Sequence, residues 1–216
     1  MVNPSQSSLT RSERTRAMLL AATRSLIEEE GFERLTMAAV AKRAGVSRRA
    51  VYLHFASRAD LIAQFFDYVS ETEKLAASTR PVWASPDAVT ALAEWARHLA
   101  RFHSRVIAAT RAFERVYRTD PDAAPHRARY VREQLGACRR LAEWLERERQ
   151  LAPEWTVETA TDMLWGLIST DMIERLLVDR RWSRQRLAEH LTVLLQSTFV
   201  GDAEERSHAR SDRKRA

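Results

Sequence analysis

Helix-start signals recur along this chain so often that they leave little room for any other fold. Thr10-Arg11-Ser12-Glu13 has the spacing of a capping box, in which the Thr and Glu side chains each accept a backbone N–H that the first helical turn leaves unpaired. Ser57-Arg58-Ala59-Asp60 repeats the pattern. Thr36, Ser47, Ser85 (followed by Pro86), Asp120 and Ser183 stand at further starts. Behind the first box Ala17, Leu20, Ala21, Leu26 and Ile27 supply an apolar stripe, closed by Gly31. Helices are predicted up to Gly31, over 37–44, from Ser47 to about 53 and from Ser57 to about 77. A break over 78–85, marked by Pro81, separates them from helices at 86–102, 104–118, 121–150, 155–179 and 184–199. With five glycines, six prolines and no strand alternation, the predicted fold class is all-α.

Composition narrows the function without choosing it. The balance of 35 Lys+Arg over 29 Asp+Glu gives +6, which suits nucleic acid, an anionic membrane or an acidic partner. A single cysteine, Cys138, excludes an intrachain disulfide and a multi-thiolate metal site, and reads as a packing residue. No apolar run approaches the roughly 20 residues that span a bilayer. The opening MVNPSQSSLTRSER lacks the apolar core of a secretory signal, so the expected location is the cytoplasm, away from any membrane. Residues 202–216 carry nine charges and no large apolar group, and 201–216 is expected to be a disordered tail.

The sharpest local signal lies between Arg34 and Ala59, where six basic residues occur and no acidic one. Two short helices parted by Gly45 make a helix-turn-helix. On the second helix Val51 and Phe55 lie four apart and face inward, leaving Arg48, Arg49, Tyr52 and Leu53 outside. Paired arginines at a helix start oppose the helix dipole. They become favourable when a polyanion approaches that end, and arginine is the commonest reader of guanine in the major groove. The competing reading is a solvated basic surface.

Gly31-Phe32, Thr36, the run Ala41-Lys42-Arg43-Ala44-Gly45-Val46-Ser47, Tyr52-Leu53-His54-Phe55 and Ser57-Arg58 closely resemble the tetracycline-repressor (TetR) family over about residues 12–72. The resemblance implies phosphate contacts at Thr36, Tyr52, His54 and Arg58, and groove-facing positions at 48, 49, 50 and 53. Ser47 caps the reading helix and belongs with them. Arg58 stands where lysine is more usual, and Arg49 where a small residue or proline is common, so base preference does not carry over. The family also implies a C-terminal ligand-binding and dimerisation domain, here 73–200.

Two features of that later region speak independently. The 155–179 segment is apolar nearly all round, and 184–199 has a cleaner stripe; Leu164, Ile168, Leu187, Leu191 and Leu194 are therefore assigned to a homodimer interface. Trp95, Phe102, Phe113, Tyr117 and Trp165 are candidates for an effector pocket, although aromatic stripes at helical spacing are more often core. Asp171 is either a ligand group or the ion-pair partner of Arg175. His98 and His103, five apart, are expected on different helix faces. No phosphate loop, HExxH or GxSxG occurs, so no catalytic residue, metal site or cofactor is assigned. The expected function is a ligand-responsive dimeric regulator, a repressor, that binds a palindromic double-stranded DNA operator and a small apolar or aromatic effector. The rivals are a helical carrier or enzyme with an incidental basic face, and a membrane-surface protein.

Overall fold

The structure is a computed structural model that describes residues 10–116 and 121–201. Regular structure among them is helical, apart from one isolated antiparallel bridge between Leu151 and Val200. The expected tail lies outside the described residues except for Gly201, which is buried and donates its N–H to the Gln150 carbonyl at 3.0 Å. No helix among the described residues is long and apolar enough to cross a membrane.

Helix α1 spans Arg11–Glu30 and opens on the expected box: Thr10 Oγ1 accepts the Glu13 N–H at 3.2 Å, and the Glu13 carboxylate accepts the Thr10 N–H at 2.7 Å. Gly31 ends it at φ 85°, where a side chain would be strained and would meet the Glu33 carboxylate at 2.7 Å. A 3-10 turn at Phe32–Arg34 leads to α2 (Met37–Ala44), α3 (Arg48–Tyr52) and α4 (Arg58–Thr72). Asp60 takes the Ala56 N–H at 2.9 Å while Ser57 Oγ takes that of Asp60 at 3.1 Å, so the second box closes one residue early.

The remaining elements are α5 (Leu75–Trp83), α6 (Ala88–Val116), a 3-10 turn at Pro121–Ala123, α7 (Ala124–Arg147), α8 (Val157–Gly166), α9 (Thr170–Glu174), a π-helical turn at Arg175–Asp179 and α10 (Arg184–Phe199). Several boundaries differ from those predicted. The expected break at 78–85 is largely helix α5 with Pro81 inside it, because Ser78 and Val82 are drawn into the core. The chain turns instead at Lys74, a non-glycine residue at φ 57°. Asp87, not Ser85, opens α6, its carboxylate accepting the Thr90 N–H at 2.7 Å and the Thr90 hydroxyl at 2.9 Å. Those bonds hold the Asp87 carboxyl below the ordinary carboxylate range, the Thr90 backbone bond foremost.

No break falls near residue 103. Nothing there stops a helix, and Ser104 donates back to the Arg101 carbonyl at 3.0 Å instead of capping. The predicted 155–179 helix is interrupted after Gly166 and finishes in the π turn.

Two compact units result. One comprises residues up to Ser70 together with Ala108–His126, and the other Glu71–Ile107 together with the chain from Arg127 on. In the first, Leu19, Val40, Val51, Phe55, Leu61 and Ile62 are inaccessible to solvent. Phe113 joins that core, 5.9 Å from the Phe32 ring and 5.7 Å from that of Phe65.

The second core gathers Leu92, Leu99, Leu141, Leu145, Ile173, Leu195 and Phe199. Leu164, Ile168, Leu187 and Leu191, assigned above to a dimer interface, are no more than 5% exposed and belong to this same core. At i, i+4, i+8 the α10 stripe Leu187–Leu191–Leu195 serves the subunit's own packing. Cys138 is buried with them, its thiol pushed up to about 12 by desolvation, as suits a packing residue.

His98 and His103 lie about 140° apart on α6, on different faces as expected, and both are buried because this helix is covered on more than one side. Desolvation lowers His98 to about 3, with His103, Arg101 and Arg105 adding repulsion, and lowers His103 to about 4. Both imidazoles are therefore neutral at pH 7. Because the folded values lie below the unfolded one near 6.5, stability is complete above pH 6.5 and is lost as the pH falls toward the folded values. Unfolding free energies from urea titrations at pH 7 and pH 5 should differ by an amount on the order of 1–2 kcal/mol for each imidazole, and His103→Phe should remove its share.

Candidate functional site

The basic segment folds as a compact reading head. Thr36 Oγ1 accepts the Ala39 N–H at 3.0 Å and starts α2. Gly45 takes the left-handed conformation at φ 68°, ψ 29°, and its N–H reaches the carbonyls of Ala41 and Lys42. That is the C-cap geometry glycine enters without a Cβ penalty. Val46 returns its N–H to Ala41 O at 3.0 Å, and Ser47 Oγ accepts the Ala50 N–H at 3.2 Å to begin α3. Val51 and Phe55 are completely buried, and they fix which side of α3 faces out.

On that outer side stand Arg48, Arg49, Tyr52 and Leu53, the last 77% exposed. Arg48 lies over the Tyr52 ring, 5.7 Å from its centroid, and donates to the Tyr52 hydroxyl at 3.4 Å. The Arg49 side chain makes no ion pair or hydrogen bond among the described residues. Thr36 and Ser47 are exposed, and His54 is half-buried with its ring 6.4 Å from that of Phe55.

Two of the six cations serve the fold itself. Arg43 pairs with Glu29 at 2.9 Å and with Glu30, and also donates to Ser25. Arg58, assigned to a phosphate, donates from Nε to the Leu35 carbonyl at 2.7 Å, lies 5.5 Å from the Phe32 ring centroid and pairs with Asp122 at 3.5 Å. Asp122 had no distinguishing signal in the sequence; a partner 64 residues away shows itself only in the fold. Arg34, Lys42, Arg48 and Arg49 make no ion pair among the described residues, so the positive charge that remains lies on the turn before α2, on α2 and on α3.

The pocket candidates are dispersed. Trp95 and Phe102 are linked through His98, with ring centroids 5.1 and 5.5 Å apart in turn. Phe113 belongs to the core of the other unit, and Tyr117 lies outside the described residues. Trp165 is 38% exposed and donates to Gln134 at 3.1 Å. Asp171 is exposed and pairs with Arg175 at 2.9 Å, which is the ion-pair alternative. The signal passed over was the two histidines inside an otherwise apolar stripe: His98 Nδ1 and Ser78 Oγ are 2.9 Å apart and buried. No group of three or more His, Cys, Asp or Glu side chains among the described residues is arranged to hold a metal ion.

Ser47 is the sole side-chain cap of a five-residue helix, so Ser47→Ala should lower stability by about 0.5–2 kcal/mol, read as a shift of the urea midpoint.

Residues 19–65 match the family of bacterial regulatory proteins described as the tetR family. Over 58 residues the chain is 38% identical to the HTH-type transcriptional regulator TtgR of Pseudomonas putida, a match that covers 27% of this chain and 28% of that protein. The chain thus spans little more than a quarter of the length of the curated relative it matches. Among solved structures, NalD, the secondary repressor of the MexAB-OprM multidrug efflux pump in Pseudomonas aeruginosa, superposes with a TM-score of 0.70 at 24% identity, over 90% of this chain and 100% of that one. FadR of Bacillus subtilis in complex with stearoyl-CoA gives 0.65 at 15% identity, over 84% and 97%. These two likenesses show the fold. The match to the tetR family of bacterial regulatory proteins covers residues 19–65, the part of the chain that folds as the helix-turn-helix.

Proposed function

We propose that this protein is a dimeric, ligand-responsive repressor that reads a palindromic DNA operator with α3. The observation that carries the reading is the outer side of α3, where Arg48, Arg49, Tyr52 and Leu53 stand together without a carboxylate between Arg34 and Ala59. Arg49 extends unengaged toward the groove and reads a guanine edge. Arg48, steadied by Tyr52, holds the phosphate backbone with Thr36 and His54. Leu53 offers an apolar group to a thymine methyl. Arg58 acts through the fold, bracing Leu35 beside the Thr36 cap.

Binding-site selection from random duplexes should return a two-fold-symmetric motif, with affinity falling steeply as salt rises. Arg49→Ala should cost about 1–3 kcal/mol and relax one position per half-site. Arg48→Ala should weaken all duplexes alike and lower the salt slope by roughly 1. A motif unchanged at every position in both variants would refute α3 as the reader.

The dimer surface is moved from the buried stripe to the exposed apolar side chains of the same helices. Met163 and Trp165 on α8, Val178 on the π turn, and Val193 and Leu194 on α10 are 38–67% exposed. The π turn packs against α10. Sedimentation should find Leu194→Arg monomeric and folded, whereas Leu191→Arg, which buries a charge in the core, should unfold. A folded, tightly dimeric Leu194→Arg would mean that the surface lies elsewhere.

The second unit is read as the effector domain, and the stearoyl-CoA complex of FadR, a protein of like fold, supports that reading. Effector binding favours a conformation of the dimer whose two heads no longer match the operator spacing.

A further inference from the structure

Gln196, near the end of α10, donates from Nε2 to the Val89 carbonyl near the start of α6, at 3.2 Å. Farther along, residues 97–101 of α6 and the first turns of α10 line one groove. The two helices therefore run antiparallel beside each other. Arg101 and Arg184 each stand twelve residues from the Val89–Gln196 bond. With the same rise per residue in both helices, the two arginines reach the same level at one end of the groove.

The groove has a volume of about 610 Å³, within the roughly 300–1,000 Å³ of small-molecule sites. Ala100, Ala188 and Val193 give it an apolar lining. Its charge is uneven. The Arg184 side chain makes no hydrogen bond or ion pair among the described residues. Arg101 makes no ion pair among them, and only a 3.4 Å hydrogen bond to the Ser78 carbonyl. Arg97, one turn before Arg101, is already taken by Glu94 at 2.6 Å. Glu189 is the one carboxylate in the lining; it accepts from Gln185 at 2.9 Å and stands five residues past Arg184, toward the Val193 end. Two cations from separate helices thus share one end of a groove whose own carboxylate is engaged elsewhere. Like charges brought together repel unless an anion joins them.

We propose that this groove binds a small amphipathic acid and that such an acid is the effector. Its carboxylate accepts from Arg101 and Arg184, charge-assisted bonds for which guanidinium is the best-suited donor. Its apolar body lies along Ala100 and Ala188 toward Val193. Glu189 fixes the direction, because it repels an anion from the Val193 end and leaves that end to the apolar part. Val193 is also one of the exposed side chains assigned to the dimer surface, so the acid ends where the subunits meet. As an acid site the proposal rests on the groove; as the effector site it rests on the reading of the second unit as the effector domain.

The test uses the full chain and three probes: octanoate, octan-1-ol, which lacks the carboxylate, and acetate, which lacks the apolar body. By calorimetry octanoate should saturate at one molecule per chain and bind roughly tenfold tighter than either of the others. Arg101→Gln and Arg184→Gln should each remove most of its advantage over octan-1-ol. Arg147→Gln, which removes an exposed cation outside the groove, should not. Glu189→Gln should tighten octanoate and leave octan-1-ol unchanged, a gain that misfolding cannot imitate. Equal binding of octanoate and octan-1-ol, no binding at all, an Arg147→Gln loss as large as that of Arg184→Gln, or a Glu189→Gln variant that binds octanoate no tighter would overturn the acid site. An Arg184→Gln variant that sediments as a weaker dimer with octanoate binding intact would assign the groove to a second copy of the chain and overturn it too. Duplex affinity measured on the same samples should fall when octanoate is added. Selective octanoate binding with duplex affinity unchanged would keep the acid site and sink its role as effector site, and a chain that binds no duplex would sink the regulator.

Discussion

The left-handed turn at Gly45 is the constraint from which the reading head follows. Three residues separate the end of α2 from the start of α3, and the turn works only because Gly45 accepts φ 68° while its N–H closes onto Ala41 and Lys42. With that turn made, Ser47 caps α3, and Val51 and Phe55 drop into the core. The opposite side of a helix barely more than one turn long is then committed to Arg48, Arg49 and Tyr52. Presentation of the arginines is thus a packing consequence, decided by which two side chains are buried.

Charge is divided by the same fold. Between Arg34 and Ala59 there is no carboxylate, so any neutralisation of the six cations must come from elsewhere in the chain. Helix α1 supplies Glu29 and Glu30 to Arg43, and the turn before α7 supplies Asp122 to Arg58. Those contacts knit the first unit together and leave Lys42, Arg48 and Arg49 without an ion pair among the described residues. A basic segment that would otherwise repel itself becomes partly structural and partly available to an anion.

The second unit poses a different problem: its helices hold more apolar surface than one face can cover. The resolution is to bury Leu164, Leu187 and Leu191 within the subunit and to leave Met163, Val193 and Leu194 outside. Covering α6 also takes His98, Trp95 and His103 out of water. His98 finds Ser78, while Trp95 Nε1 and His103 Nδ1 have no hydrogen-bond partner among the described residues, a cost that the packing of their rings must outweigh.

By itself the sequence determined the all-helical class, the caps at Thr10, Thr36, Ser47 and Ser183, the glycine turn and the outward arginines, because each depends on neighbours within a few residues. Local rules also placed α10 and the Asp171–Arg175 pair correctly. They failed where distant partners decide. Pro81 stays helical because Ser78 and Val82 are covered, and α6 runs through residue 103 because no local stop opposes it. Leu191 proved to be core, and Arg58 gained partners 23 and 64 residues away, because burial and long-range contacts are properties of the folded chain. Amphipathic spacing tells which side of a helix is covered; only tertiary structure decides whether its own subunit, a second subunit or a ligand does the covering.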